Sequence, residues 1–251
     1  MLAQASIAPV TENPPETWEK MPEPDISDVV IEDDTPVDSW ISEKQQRLLT
    51  TSLYSSLPQD EPFVALANVG LFYAEKYPPL VPDVMVSFGV KVPEDWTLKK
   101  NRSYFTWNMG KTPDIAIEIV SNKVGNELSS KLIDYARARV GYYVVFDPLK
   151  CLGNNLLYVY QLQASEYQLQ DNYFLEQFDL GLTLWQGNFE NQEFNWLRWC
   201  DRQGNLILTG DERAQQEHQR AQQEHQRAQQ EHQRAEFLAK LLREHGINPD
   251  Q

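Results

Sequence analysis

The segment that most constrains the fold is Ile115-Ala116-Ile117-Glu118-Ile119-Val120, a nearly continuous apolar run that carries one charge. Such a run predicts a β-strand buried on both faces of a central sheet. The charge of Glu118 must then be paired or bound to a cation, because unpaired burial costs several kcal/mol. Since strand side chains alternate between faces, Asp114, Ala116, Glu118 and Val120 share one face, and the candidate active site is on the Glu118 side.

The residues after this strand predict a helix over Asn126–Val140, ended by Gly141, and a second strand over Tyr142–Pro148. A strand, a helix and a strand in this order favour a parallel pair within a mixed sheet. Before them, Leu48, Leu49 and Leu53 have helical spacing, and Ser42 is the expected N-cap of a helix ending at Leu57, before Pro58. The further predicted strands are Phe63–Val69, Val81–Val90, Leu156–Gln161, Tyr167–Gln170, Phe174–Gln177 and Leu206–Leu208.

Composition and periodicity divide the chain into three parts. Residues 1–39 form an acidic, proline-rich arm that cannot bury enough apolar surface to offset its ordering entropy. Residues 40–210 form one α/β domain. Residues 211–251 form a helical tail in which Arg-Ala-Gln-Gln-Glu-His-Gln recurs every seven residues, a period that is compatible with a coiled coil. A solvated, self-associating helix is the expected state. A metal held between chains by His218, His225 and His232 is the less favoured alternative.

Charge and cysteine content narrow the functional classes. The net charge of −15 argues against a non-specific nucleic-acid coat protein. Much of it is local, since residues 1–42 hold ten acidic side chains against Lys20 alone. Five basic residues are predicted near the Glu118 face: Lys99, Lys100, Arg102, Lys111 and Lys123. Cys151 and Cys200 have no metal-ligand spacing, and no signal peptide or membrane span is recognisable. We therefore expect free thiols and a cytoplasmic protein.

A second acid completes a candidate metal site. Asp83 follows Pro82 at the start of its predicted strand, so Asp83 and Glu118 can meet across neighbouring strands. Hydrolysis of a phosphodiester without a covalent intermediate needs a metal ion that activates water and neutralises phosphate charge. Because Mg²⁺ keeps several waters and needs only one or two carboxylates, this pair is sufficient. The acid pair alone does not define the substrate.

Three stretches carry a resemblance to a known family: Val81-Pro82-Asp83-Val84-Met85-Val86, Pro113 to Ser121, and Ser130-Lys131-Leu132-Ile133-Asp134-Tyr135-Ala136 followed by Gly141 to Pro148. In this order they resemble the Uma-type restriction endonucleases, a family of the PD-(D/E)XK nuclease superfamily. The segment Leu241 to Asp250 also looks like the ending of these proteins. The resemblance is centred on residues 80–150, and it implies a restriction-endonuclease-like mixed central sheet flanked by helices.

The resemblance also implies roles for individual residues. Asp83 corresponds to the metal-binding aspartate and Glu118 to the acid of the (D/E)XK element, with Mg²⁺ or Mn²⁺ as the cofactor. Val120 stands where the superfamily places its lysine. In this family the lysine is moved to the next helix, where Lys131 fits, and Lys123 in the intervening turn is the alternative.

Three other residues have weaker functional interpretations. Asp114 is expected to shape the entry of its strand, Ser121 to cap the following turn, and Glu43 is a candidate extra acid from the first helix. We predict a Mg²⁺-dependent DNA endonuclease that acts as a homodimer, because duplex DNA has two-fold symmetry. Two alternatives remain open: a non-catalytic interaction protein that retains the nuclease scaffold, and a metal-dependent hydrolase of a small phosphoester.

Overall fold

A computed structural model of the chain describes Asp25 and residues 39–58, 60–121 and 126–244, with the side chains of 241–243 excepted. Most of the predicted acidic arm, the alternative lysine Lys123 and the segment 245–251 lie outside the described residues.

A six-stranded mixed sheet forms the centre of the fold, in the order β1-β3-β5-β6-β7-β8. Its only parallel pair among the described strands is β5–β6, whose connection passes through α3, and the other neighbours are antiparallel. The predicted mixed sheet is therefore confirmed. Its strands are β1 (Phe63–Ala67), β3 (Val84–Phe88), β5 (Ile115–Ile119), β6 (Tyr142–Phe146), β7 (Leu157–Gln163) and β8 (Glu166–Leu169). Shorter elements flank them: β2 (Leu71–Phe72) pairs in parallel with β4 (Tyr104–Phe105), which leads into α2 (Thr106–Met109).

Every residue of β5 is buried, as its composition predicts. Ile115, Ile117 and Ile119 belong to a core cluster on one face of the sheet. Ala116 belongs to a separate cluster on the other face, together with Val120 from just after the strand. The alternation inferred from the sequence is confirmed, and Glu118 lies on the second face.

Helix α1 (Trp40–Ser56) covers the first face through Leu49 and Leu53. The predicted N-cap was wrong by three residues, because the Ser39 hydroxyl accepts a hydrogen bond from the Ser42 backbone amide at 3.2 Å. Serine at either position could satisfy the free amides of a first turn, so the sequence pattern alone did not decide between them.

Helix α3 (Ser130–Arg137) lies on the second face and is shorter than predicted at both ends. Asn126 and Arg139 have positive φ angles of 58° and 61°, which an α-helix does not allow. The chain thus leaves the helix before Gly141, the predicted stop. Ile133, an apolar residue within this helix, is 62% exposed.

A second sheet, with the order β11-β10-β9, was only partly predicted. Its strands are β9 (Phe174–Leu175), β10 (Leu180–Phe189) and β11 (Gln192–Cys200). The hairpin β10–β11 was missed, and Leu206 forms only an isolated bridge to Cys200 rather than a strand. Leu182 and Trp199 of this second sheet belong to the first core cluster, which also contains Leu49 and Leu53 of α1.

The tail is one helix, α4 (Gly210–Glu244). Its start is fixed by a capping box, in which the Glu212 amide donates to Thr209 Oγ1 and the Thr209 amide donates to Glu212 Oε2. The Glu212 carboxylate also pairs with the buried guanidinium of Arg198 at 2.7 Å. From Glu217 to Leu238 the helix is exposed. Both cysteines are free thiols, and no described helix has the length and apolarity needed to cross a membrane.

Candidate active site

The two predicted acids meet where β3 begins and β5 ends. The antiparallel register pairs Val84 with Ile117. Continuing it by one residue places Asp83 opposite Glu118, and directly opposed residues point to the same face of a sheet. Met85 and Ala116, which alternate with these acids, both pack in the cluster on that face. The acids therefore share one face, and both are buried.

The carboxylate of Asp83 accepts hydrogen bonds from another helix and another strand. Its Oδ1 accepts from Gln46 Nε2 at 2.9 Å, and its Oδ2 accepts from the Ile119 backbone amide at 2.6 Å. The second bond ties Asp83 to the strand that carries Glu118. Gln46 projects from α1, and Asn68 supports it through a further amide hydrogen bond at 3.1 Å.

The carboxylate of Glu118 is held by two residues of α3. Lys131 Nζ donates to Oε2 at 2.9 Å, and the Tyr135 hydroxyl donates to Oε1 at 2.6 Å. Lys131 and Tyr135 are four residues apart, so they lie on the same face of the helix. The predicted pairing of Lys131 with the acid of β5 is thus present in the fold, although its catalytic role stays a prediction.

A third acid, Glu127, was missed by the sequence analysis. Its Oε1 is 3.3 Å from Lys131 Nζ, and its side chain is 8% exposed. Its Oε2 is buried and has no hydrogen-bond partner in the part of the chain that the structure describes. The spacing of Glu127, Lys131 and Tyr135 was the available signal, because residues at i, i+4 and i+8 follow one helical stripe.

Burial dominates the electrostatics of the site. It raises the pKa of Glu118 above its usual value, although the charge of Lys131 and the hydrogen bond from Tyr135 oppose the rise. Burial alone would lower the pKa of Lys131, but Glu118 and Glu127 outweigh it and raise that pKa. The pKa of Tyr135 is raised well above its usual value by burial, then by Glu118, with a further contribution from Asp83. Glu118 and Asp83 therefore both disfavour ionisation of the Tyr135 hydroxyl.

Other predicted residues lie away from this site. Glu43 was wrongly considered as the acid from the first helix, since it is exposed and pairs with Arg47 at 3.0 Å. Gln46 is the α1 residue that contacts Asp83. Asp114 accepts a hydrogen bond from the Phe88 amide and so shapes the entry of its strand, as predicted.

The predicted basic cluster is not formed as a whole. Lys111 bonds to Asp114 and to the Phe88 carbonyl, which places it at the opposite end of β5 from Glu118. Arg102 holds its own loop, through the carbonyls of Trp96 and Thr97. Among the described residues, Lys131 is the basic residue that forms an ion pair with Glu118.

The donor set indicates what kind of ligand the site would accept. Three carboxylates and one ammonium leave two net negative charges when all are ionised, which complements a divalent cation. Hard cations such as Mg²⁺ prefer carboxylate oxygens and few protein ligands. No group of three or more His, Cys, Asp or Glu side chains has a metal-binding arrangement among the described residues. A cation here would thus rest on the Asp83–Glu118 pair and on water.

The family of this chain follows from its similarity to known proteins. Residues 19–187, more than half of the chain, match the model of the Uma2 family, described as "Putative restriction endonuclease". The chain belongs to the Uma2 family. The matched range includes Asp83, Glu118 and Lys131, so the resemblance inferred from the sequence motifs is confirmed.

One protein of known structure has a low similarity to this chain. It is a "putative nuclease belonging to DUF820" from Anabaena variabilis ATCC 29413, with 15% identity and a TM-score of 0.40, covering 55% of this chain and 72% of the other. No curated protein matches the sequence.

Proposed function

We propose that this Uma2 protein is a Mg²⁺-dependent endonuclease that hydrolyses phosphodiester bonds of DNA, with Asp83 and Glu118 as metal ligands and Lys131 as the third catalytic residue. The observation that carries the proposal is the cross-strand acid pair with Lys131 bonded to Glu118. The Uma2 family description supports the same class of activity.

The residues present fit a divalent cation. Each carboxylate oxygen has more than one lone pair, so the bonds from Gln46, Ile119, Tyr135 and Lys131 leave acceptor capacity on Asp83 and Glu118. When bound, the cation supplies Lewis acidity to the phosphate and lowers the pKa of a water molecule. Mg²⁺ suits the site because all the donors are oxygen, and Mn²⁺ is a close substitute.

The chain's own residues contribute orientation and charge. Gln46 and the Ile119 amide fix Asp83, and Tyr135 fixes Glu118, so neither carboxylate must reorganise when a substrate arrives. The Lys131 side chain is 33% exposed, so its ammonium can reach a phosphate oxygen or the attacking water. One ammonium at this point would stabilise the negative charge that develops on the phosphate.

Cleavage of supercoiled plasmid DNA in Mg²⁺ or Mn²⁺ tests the proposal. We expect Asp83→Asn, Glu118→Gln and Lys131→Met each to reduce cleavage to the level without metal. Glu190→Gln is the matched control, since it removes the same charge from an exposed pair with Arg47. Equal cleavage by the wild type and the two acid variants would eliminate the mechanism.

The substrate and the assembly are separate parts of the proposal. If a small phosphoester such as bis(p-nitrophenyl) phosphate is cleaved faster than DNA in matched assays, the site acts on small substrates.

We propose that two copies associate through the exposed stretch of α4, because cleavage of both strands of a duplex suits a dimer with two-fold symmetry. Sedimentation of the full chain should give the mass of a dimer, and a monomer at micromolar concentration would refute this part.

The non-catalytic alternative has one observation in its favour. Both oxygens of Glu118 are already engaged, by Lys131 and by Tyr135. A scaffold protein could keep these contacts for stability alone. Calorimetry separates the two functions: tight Mg²⁺ or Mn²⁺ binding that is lost in Glu118→Gln excludes the scaffold, and no binding by the wild type excludes the enzyme.

A further inference from the structure

Glu127 is a buried acid whose ion-pair partner among the described residues is Lys131. The Tyr143 hydroxyl donates to its backbone carbonyl at 3.0 Å, which fixes the turn before α3. Glu127 Oε1 is 3.3 Å from Lys131 Nζ, and Oε2 has no hydrogen-bond partner among the described residues. A buried carboxylate oxygen without a partner is costly, and such groups in a folded protein usually have a reason.

Lys131 is shared unequally between two acids. Its ammonium is 2.9 Å from Glu118 and 3.3 Å from Glu127. Because an ammonium has three donors, it can shift between them without losing all of its bonds. A divalent cation on Glu118 would repel an ammonium on the same carboxylate. The free oxygen of Glu127 is the adjacent group that can receive it.

We propose that Glu127 is a positioning residue that takes over Lys131 from Glu118 when a cation binds the Asp83–Glu118 pair. The transfer keeps the ammonium ordered at the edge of the site, where it can act on a phosphate, instead of expelling it into solvent. It also lowers the cost of freeing Glu118 for the cation. This inference rests on the proposed function, since it assumes a cation at that pair.

Calorimetric titration of the full chain with Mn²⁺ tests the transfer. Glu127→Gln keeps the shape of the side chain and removes the charge that receives Lys131. We expect it to weaken Mn²⁺ binding about tenfold, at the lower end of the loss seen when an outer-shell partner of a metal ligand is removed. Glu190→Gln is again the matched control and should leave the affinity unchanged.

The Lys131→Met variant distinguishes a Glu127 that positions Lys131 from a Glu127 that coordinates the metal directly. In Lys131→Met there is no ammonium to transfer, so adding Glu127→Gln should change the affinity less than about threefold, a difference under about 0.7 kcal/mol. The same tenfold loss in both backgrounds would make Glu127 a direct metal ligand and overturn the proposal. An unchanged affinity in the single variant would overturn it as well.

Nuclear magnetic resonance of the Lys131 ammonium gives a readout that a purely structural role would not alter. With diamagnetic Mg²⁺ bound, its signal should persist in the wild type and disappear through exchange with water in Glu127→Gln. If Lys131→Met fails to fold, this comparison and the single variant still decide the proposal. A wild type that binds no cation defeats the proposed function and the transfer together, whereas cation binding with an ammonium signal unaffected by Glu127→Gln defeats the transfer alone.

Discussion

Replacing Glu118 by Gln should change how stability depends on pH. The pKa of Glu118 is raised in the fold by burial. Between its ordinary value of 4.5 and this raised value, the folded protein binds more protons than the unfolded chain, so stability falls as pH increases. For one proton the slope is at most about 1.4 kcal/mol per pH unit. The amide does not titrate, so Glu118→Gln removes this contribution.

Thermal unfolding in the presence of a chelator measures the effect. For a chain of this size, about 1 kcal/mol corresponds to about 2–4 °C, so the melting temperature of the variant should rise relative to that of the wild type by up to about 3–6 °C per pH unit across this window. The two proteins should be close near pH 4.5, where much of Glu118 is protonated. A difference that is constant with pH would refute the burial argument. If the melting temperature of the wild type instead rises relative to that of the variant as pH increases, Lys131 and Tyr135 outweigh burial and lower the pKa of Glu118.

Four further substitutions or truncations test other parts of the fold. Tyr135→Phe removes a buried donor to Glu118 and should cost about 2 kcal/mol in urea unfolding at pH 8; no loss would mean that the bond is not made. Glu212→Gln leaves the buried Arg198 without its charged partner and should cost about 3 kcal/mol. Leu53→Ala, in the core under α1, should cost about 2–5 kcal/mol, and less than about 1 kcal/mol would refute that packing. At concentrations where the full chain is also a monomer, a chain that ends after Glu217 should melt within about 2 °C of the full protein, because the helix beyond it is exposed; a larger drop would contradict the predicted boundary of the tail.

The parts of the fold that the sequence predicted are those with strong local patterns. The apolar run of β5 and the following helix and strand gave the mixed sheet, because continuous burial leaves little choice of structure. The hairpin β10–β11 was missed, since only one end of each strand is buried and Gly187, Gln186 and Asn195 interrupt its alternation. The ends of α3 depend on positive φ angles at Asn126 and Arg139, which have no glycine to mark them.

The sequence predicted the face on which Glu118 lies, because position within one strand determines the direction of a side chain. Alternation along β5 was enough to place Glu118 on the correct face, and the family resemblance pointed to Asp83 and Lys131. Gln46 was not foreseen, because it reaches Asp83 across 37 residues of sequence and only the packing of α1 brings them together. Glu43 had the more suggestive chemistry, but it is on the exposed side of that helix.

Anomalous diffraction from a crystal soaked in Mn²⁺ tests the central claim most directly. We expect one strong peak within about 2.5 Å of a carboxylate oxygen of Asp83 and of one of Glu118, with Lys131 beside Glu127. The same soak of Glu118→Gln should lose the peak. A peak elsewhere, or an empty site with the two carboxylates too far apart to share an ion, would contradict a metal-dependent reaction at this face of the sheet.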